Sequence, residues 1–90
     1  MKISTLINYA GGFKEAVAEI KDLEQAGLDV VWVPEAYSFD APSAMGYLAA
    51  QTQRVTIASG ILPIYSRTPS LLAMTAAGID YLSDGRAMLG

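Results

Sequence analysis

The feature that most constrains this chain is a short run of strand-forming residues that keeps returning between longer helical stretches. Ile3-Ser4-Thr5-Leu6-Ile7, Val30-Val31-Trp32-Val33, Val55-Thr56-Ile57-Ala58 and Ala87-Met88-Leu89 are all of this kind. The second run is continuously apolar rather than alternating, which suits a parallel strand covered on both faces. Between the runs lies enough chain for a helical crossover. The order is therefore β-α-β-α-β-α-β with parallel strands, an α/β chain.

The intervening segments carry helix signals. From Phe13 to Ala26, apolar residues fall at Phe13, Ala16, Val17, Ile20 and Leu23, steps of three and four that mark one helix face. Gly27 is placed to end that helix. Asp40 can cap a second helix with Pro42 in its first turn, running to about Gln53 with Met45, Leu48 and Ala49 inward. Thr68 or Ser70 can cap a third, which is apolar nearly all round from Leu71 to Leu82. Residues 1–90 read as a single unit with no internal boundary, linker or low-complexity tract.

Two architectures accept this order. One is a small doubly wound, flavodoxin-like sheet with helices on both faces. The other is the N-terminal half of a (β/α)8 TIM barrel, with helices on one face only. The pattern alone favours neither. Composition adds one pointer: 52% of residues are apolar and only 17% charged, a high apolar share for 90 residues with much surface. Either its helices and strands are buried on both sides, or the chain expects neighbours to cover it.

Composition also excludes. The net charge of −3 argues against nucleic acid or an anionic membrane as a partner. There is no cysteine and no histidine, so there is no disulfide, thiolate site or Ser-His-Asp triad, and no metal site is expected. An enzyme of this make-up would leave the chemistry to a cofactor. No signal peptide or membrane span is read, and a cytoplasmic protein is the expectation.

In both architectures ligands bind at the carboxyl ends of the strands. The first such end is Asn8-Tyr9-Ala10-Gly11-Gly12, where the glycines suit a flexible turn better than a phosphate cradle, since neither GxGxxG nor a Walker lysine is present. The second is Pro34-Glu35-Ala36-Tyr37. Glu35 is placed to act as a general acid or base or to bind a polar ligand, or else is a solvated loop carboxylate. The third runs from Ser59-Gly60-Ile61 to Arg67. A glycine there lets backbone approach a ligand closely, or simply makes a turn. Arg67, just ahead of a helix, could hold a phosphate or carboxylate, or be a solvated loop residue. Tyr9, Tyr37 and Tyr65 in these loops would suit a flat aromatic ligand, though each alone reads as packing.

Four segments, in this order and spacing, carry a resemblance. They are Val31-Trp32-Val33-Pro34-Glu35, Arg54-Val55-Thr56-Ile57-Ala58-Ser59-Gly60-Ile61, Arg67-Thr68-Pro69-Ser70-Leu71-Leu72-Ala73-Met74, and Asp80-Tyr81-Leu82-Ser83-Asp84-Gly85-Arg86-Ala87-Met88-Leu89-Gly90. Together they resemble the luciferase-like monooxygenase superfamily, and more closely its branch of oxidoreductases that use the deazaflavin coenzyme F-420. The resemblance implies the TIM-barrel alternative, with coenzyme F-420 or FMN in the barrel mouth. It also implies hydride transfer between coenzyme and a small organic substrate. Coenzyme contacts would fall on Asn8, Ser59, Gly60, Ile61 and Arg67, with Glu35 and Tyr37 as catalytic candidates. A non-proline cis peptide would fall at Ser59-Gly60 or Gly60-Ile61. Many relatives carry a histidine soon after the acidic residue of strand two. Here Ala36-Tyr37 follows Glu35, so proton transfer must rest on other groups.

Members of that family are far longer, on the scale of a ~250-residue barrel. The expectation is therefore a half-barrel fragment, inactive alone, of a coenzyme-dependent oxidoreductase. Its open strand edges and inner face would favour a homo-oligomer, a dimer formed by half-barrel pairing or element swapping. Two readings stay beside it: a self-assembling half-barrel structural module, and the flavodoxin-like binding domain.

Overall fold

The structure is a computed structural model that describes residues 1–7, 12–35, 40–60, 62 and 67–90. Its elements are β1 (Ser4–Leu6), α1 (Phe13–Gln25), β2 (Val30–Pro34), α2 (Ala41–Gln51), β3 (Thr56–Gly60), α3 (Pro69–Leu82) and β4 (Ala87–Leu89). The four strands form one parallel sheet in the order β1-β2-β3-β4.

That order separates the two architectures. A doubly wound sheet reverses direction at a switch point and puts helices on both faces. Here each strand lies beside its predecessor, and α2 packs against α1 on one side and α3 on the other. With right-handed crossovers, a sequential order keeps every helix on one face. The flavodoxin-like alternative is thereby excluded for the described residues.

Strand periodicity sorts the sheet residues. Val31 and Val33 of β2 and Ile57 of β3 join Val17, Ile20, Met45, Leu48 and Ile79 in one buried cluster on the helix side. Burying side chains such as Met45 and Leu48 stabilises the fold by about 1.5–3 kcal/mol each. Phe13 and Tyr47 extend this layer between α1 and α2, with ring centroids 5.9 Å apart. The other sheet face carries Ser4, Val30, Trp32, Thr56 and Met88, which line an open concavity.

The caps follow the sequence. The Asp40 side chain accepts from Ser43 N at 3.0 Å, with Pro42 inside the first turn of α2. Thr68 Oγ1 accepts from Leu71 N at 3.1 Å, with Pro69 at the first position of α3. Gly27 follows α1 with φ 110°, a backbone conformation that L side chains rarely adopt.

Two expectations change. Leu23 is not inward; Glu24 is buried in its place. The Glu24 carboxylate accepts from the backbone N–H groups of Gln53, Arg54 and Val55, so it satisfies the amino end of β3, and Leu23 turns toward the open edge of β1. The third strand does not stop at Ala58, because Ser59 and Gly60 stay paired with Val33 and Pro34. The apolar α3 buries only Ile79 among its residues, and Leu71, Met74, Tyr81 and Leu82 are exposed.

Candidate functional site

The carboxyl ends of the strands bring Glu35, Ser59, Gly60, Arg67 and Gly90 to one rim. Asn8, Tyr37 and Ile61 lie outside the described residues, as do Tyr9 and Tyr65.

Two of the predicted site residues face each other. Arg67 Nε donates to Glu35 Oε1 at 3.1 Å, and Arg67 Nη2 donates to Glu35 Oε2 at 2.6 Å. This is the two-pronged geometry that a planar guanidinium makes with a carboxylate. The same Nη2 donates to Asp40 Oδ1 at 2.6 Å. Glu35 Oε2 also accepts from the Ala41 backbone N–H at 2.7 Å, in the first turn of α2. The Glu35 and Arg67 side chains are only 11% and 13% exposed, whereas Asp40 is half exposed.

Electrostatics follow from that geometry. The hydrogen bond from Arg67 holds the Glu35 carboxyl below its ordinary value, and the Ala41 amide adds to the effect against the cost of burial. Arg67 and Ser43 lower Asp40 in the same way. Arg67 is held charged still more firmly than usual. Glu35 is thus an ionised hydrogen-bond acceptor at neutral pH and has no proton to give there.

Ser59 is fully buried, and its hydroxyl accepts from Gly90 N at 3.0 Å. The residue belongs to the helix-side parity of β3, with Ile57, and it ties the end of β3 to the end of β4. Gly60 sits opposite Pro34 in the ladder, and a methyl group built on it would stand 3.4 Å from Pro34 Cα. At Gly90 such a methyl would collide with the Ser59 carbonyl and lie 2.9 Å from Trp32 Cζ3. Both glycines are thus places where the chain packs closely on itself, Gly60 against Pro34 and Gly90 against Ser59 and Trp32.

The cis peptide expected at Ser59-Gly60 is not present. That bond is trans, since both residues remain extended in the ladder with β2. The Gly60-Ile61 bond lies outside the described residues.

Asp40 caps α2, as its sequence position indicates, and has a second role as a partner of Arg67 that depends on a contact across 27 residues. At the opposite end of the sheet, Arg86 donates to the carbonyls of Ala49, Thr52, Val55 and Ser83. Among the described residues no group of three or more His, Cys, Asp or Glu is placed to hold a metal ion, and no helix is long and apolar enough to cross a membrane.

The sequence pattern of luciferase-like monooxygenases matches residues 1–90. The chain belongs to the luciferase-like monooxygenase family. A Mycobacterium tuberculosis relative named as a coenzyme F-420-dependent oxidoreductase is 35% identical over 95 aligned residues, covering 100% of this chain and 26% of that protein. Among solved structures, the coenzyme F-420-dependent tetrahydromethanopterin reductase of Methanopyrus kandleri matches with a TM-score of 0.85 and 25% identity, over 100% of this chain and 26% of its own. The oxygenating constituent of a Pseudomonas putida 3,6-diketocamphane monooxygenase, solved with FMN, shares the fold with a TM-score of 0.85 at 16% identity, over 100% of this chain and 29% of its own. The chain thus spans about a quarter of the length of the relatives it matches. Those structures are TIM barrels, and the four-stranded sheet corresponds to a part of one.

Proposed function

We propose that this chain forms part of an oxidoreductase that moves hydride between a small organic substrate and coenzyme F-420 or FMN. The observation that carries the reading is the gathering of Glu35, Gly60 and Arg67 at the carboxyl ends of the strands in a chain of this family, the end at which (β/α)8 proteins bind their ligands. A bound deazaflavin or flavin would supply the ring atom that takes or gives the hydride. The chain's own residues would do the holding. Gly60 leaves the end of β3 without a side chain, and Ser59 fixes the separation of the ends of β3 and β4. Glu35 stays ionised and accepts hydrogen bonds, so a proton required by the reaction must come from another group, with Tyr37 the candidate in this chain. Asn8 and Ile61 complete the proposed surroundings of the coenzyme, while Arg67 acts through Glu35 and Asp40.

Four strands make half of an eight-stranded rim, so we expect no turnover from the 90 residues alone. The two open edges, β1 and β4, and the exposed Leu6 and Met88 favour self-association of the isolated chain. Sedimentation combined with titration of F-420 and FMN tests both points. Weak or absent coenzyme binding by the isolated chain is compatible with the reading. Failure of the gene's entire product to bind either coenzyme would remove it. A strictly monomeric isolated chain at high concentration would remove the self-association.

A further inference from the structure

Arg67 touches three segments at once. Glu35 directly follows β2, Asp40 caps α2, and Arg67 directly precedes Thr68, which caps α3. One guanidinium holds both carboxylates at 2.6 Å, and Glu35 passes the contact on to Ala41 N. Two carboxylates against one guanidinium leave the cluster with a net negative charge. Arg67 therefore has little positive charge left to offer an anionic ligand, although a lone arginine ahead of a helix suggests that use.

We propose that Arg67 is a positioning residue, a clamp that joins the carboxyl end of β2 to the first turns of α2 and α3 and so sets the rim beside Pro34 and Gly60. Its consequence for coenzyme binding rests on the function proposed above; the clamp itself does not. Lysine is a poor substitute, because a single ammonium cannot make the two parallel bonds to Glu35 while also reaching Asp40. Methionine keeps much of the stem and removes the fork.

The test is a set of amide NMR spectra of the chain and its Arg67→Met and Arg67→Lys variants, alongside FMN and F-420 titrations. Ala41, Ser43 and Leu71 report the two helix starts; Val31 and Ile57 report the core. In Arg67→Met the Ala41, Ser43 and Leu71 signals should shift and exchange at least about tenfold faster, with Val31 and Ile57 unchanged. Arg67→Lys should fall between, and carries the test where Arg67→Met also loses core protection. Helix-start signals that stay put overturn the clamp. If wild type binds a coenzyme, Arg67→Met should weaken Kd at least about tenfold. Equal binding with displaced helix starts overturns the positioning of the coenzyme site. Displaced helix starts in a chain whose entire gene product binds neither coenzyme leave the clamp standing and remove the functional reading.

Discussion

Replacing Glu24 should be among the most damaging single changes in this chain, although the residue is acidic and lies on a surface helix. Its carboxylate accepts from Gln53 N at 3.1 Å, Arg54 N at 2.6 Å and Val55 N at 2.7 Å. The Arg54 side chain donates back to the Glu24 carbonyl. Water can reach Gln53 and Arg54 after a Glu24→Ala change, but Val55 is fully buried, so its N–H is left without an acceptor. One buried orphan donor costs about 1–3 kcal/mol, and loss of the other two bonds adds to it, for a total of about 2–5 kcal/mol. A 90-residue chain has about 5–13 kcal/mol of stability to lose. Glu24→Gln keeps an acceptor oxygen and should cost less than Glu24→Ala. Urea unfolding followed by Trp32 fluorescence reads both variants, as a lower midpoint at unchanged slope. A Glu24→Ala variant within ~0.5 kcal/mol of wild type would refute the claim that these three bonds hold the start of β3.

The same group makes an acid prediction. Burial pushes the Glu24 carboxyl up, but the N–H groups of Val55, Arg54 and Gln53 and the charge of Arg86 outweigh it, so it ends below its ordinary value of 4.5. A group with a depressed folded pKa contributes stability above its unfolded value and loses it as pH falls through the folded value. Stability should therefore decline below pH 4.5 more steeply in wild type than in Glu24→Gln. Parallel acid limbs would show that Glu24 is not the linked group.

Three further changes probe other parts of the fold. Gly27→Ala meets no atom within 4 Å, yet must hold φ 110°, so it should cost about 1–2 kcal/mol by backbone strain alone, read as a lower Tm. Arg86→Met uncovers the carbonyls of Ala49, Thr52 and Val55 and should cost about 2–4 kcal/mol in urea, with Arg86→Lys recovering less than half. Met74→Lys, at a side chain 72% exposed, should leave stability within ~0.5 kcal/mol while reducing self-association in sedimentation.

What could be read from the residues depended on how far the deciding contact reached. The caps at Asp40 and Thr68 were legible because a cap bonds three residues ahead. The exchange of Leu23 for Glu24 was not, since the N–H donors that hold Glu24 sit about thirty residues away, just ahead of β3. Glu35 and Arg67 each stood out at a strand end, but nothing local says that they face each other across 32 residues. Ser59 is a different case. Counting by twos from Val55 and Ile57, both buried against the helices, places its hydroxyl on the helix side, away from a ligand on the inner face. The strand period held that information.

The high apolar share finds its explanation in where the uncovered residues lie. An ordinary small domain scatters its exposed apolar side chains singly. Here Leu6 and Met88 stand on the two edge strands, Leu23 faces the open edge of β1, and Leu71, Met74, Tyr81 and Leu82 follow α3. These are the places where a singly wound sheet continues with another strand and another helix. The central β2 has helices against Val31 and Val33, while Trp32 on its other face stays half exposed over the concavity. A strand written for burial on both faces, covered on one, sets the direction of any missing contact. A layer added on the helix side alone would leave both edge strands, β1 and β4, and the concave face around Trp32 in water, so a partner that covers the apolar surface of these residues must reach those places.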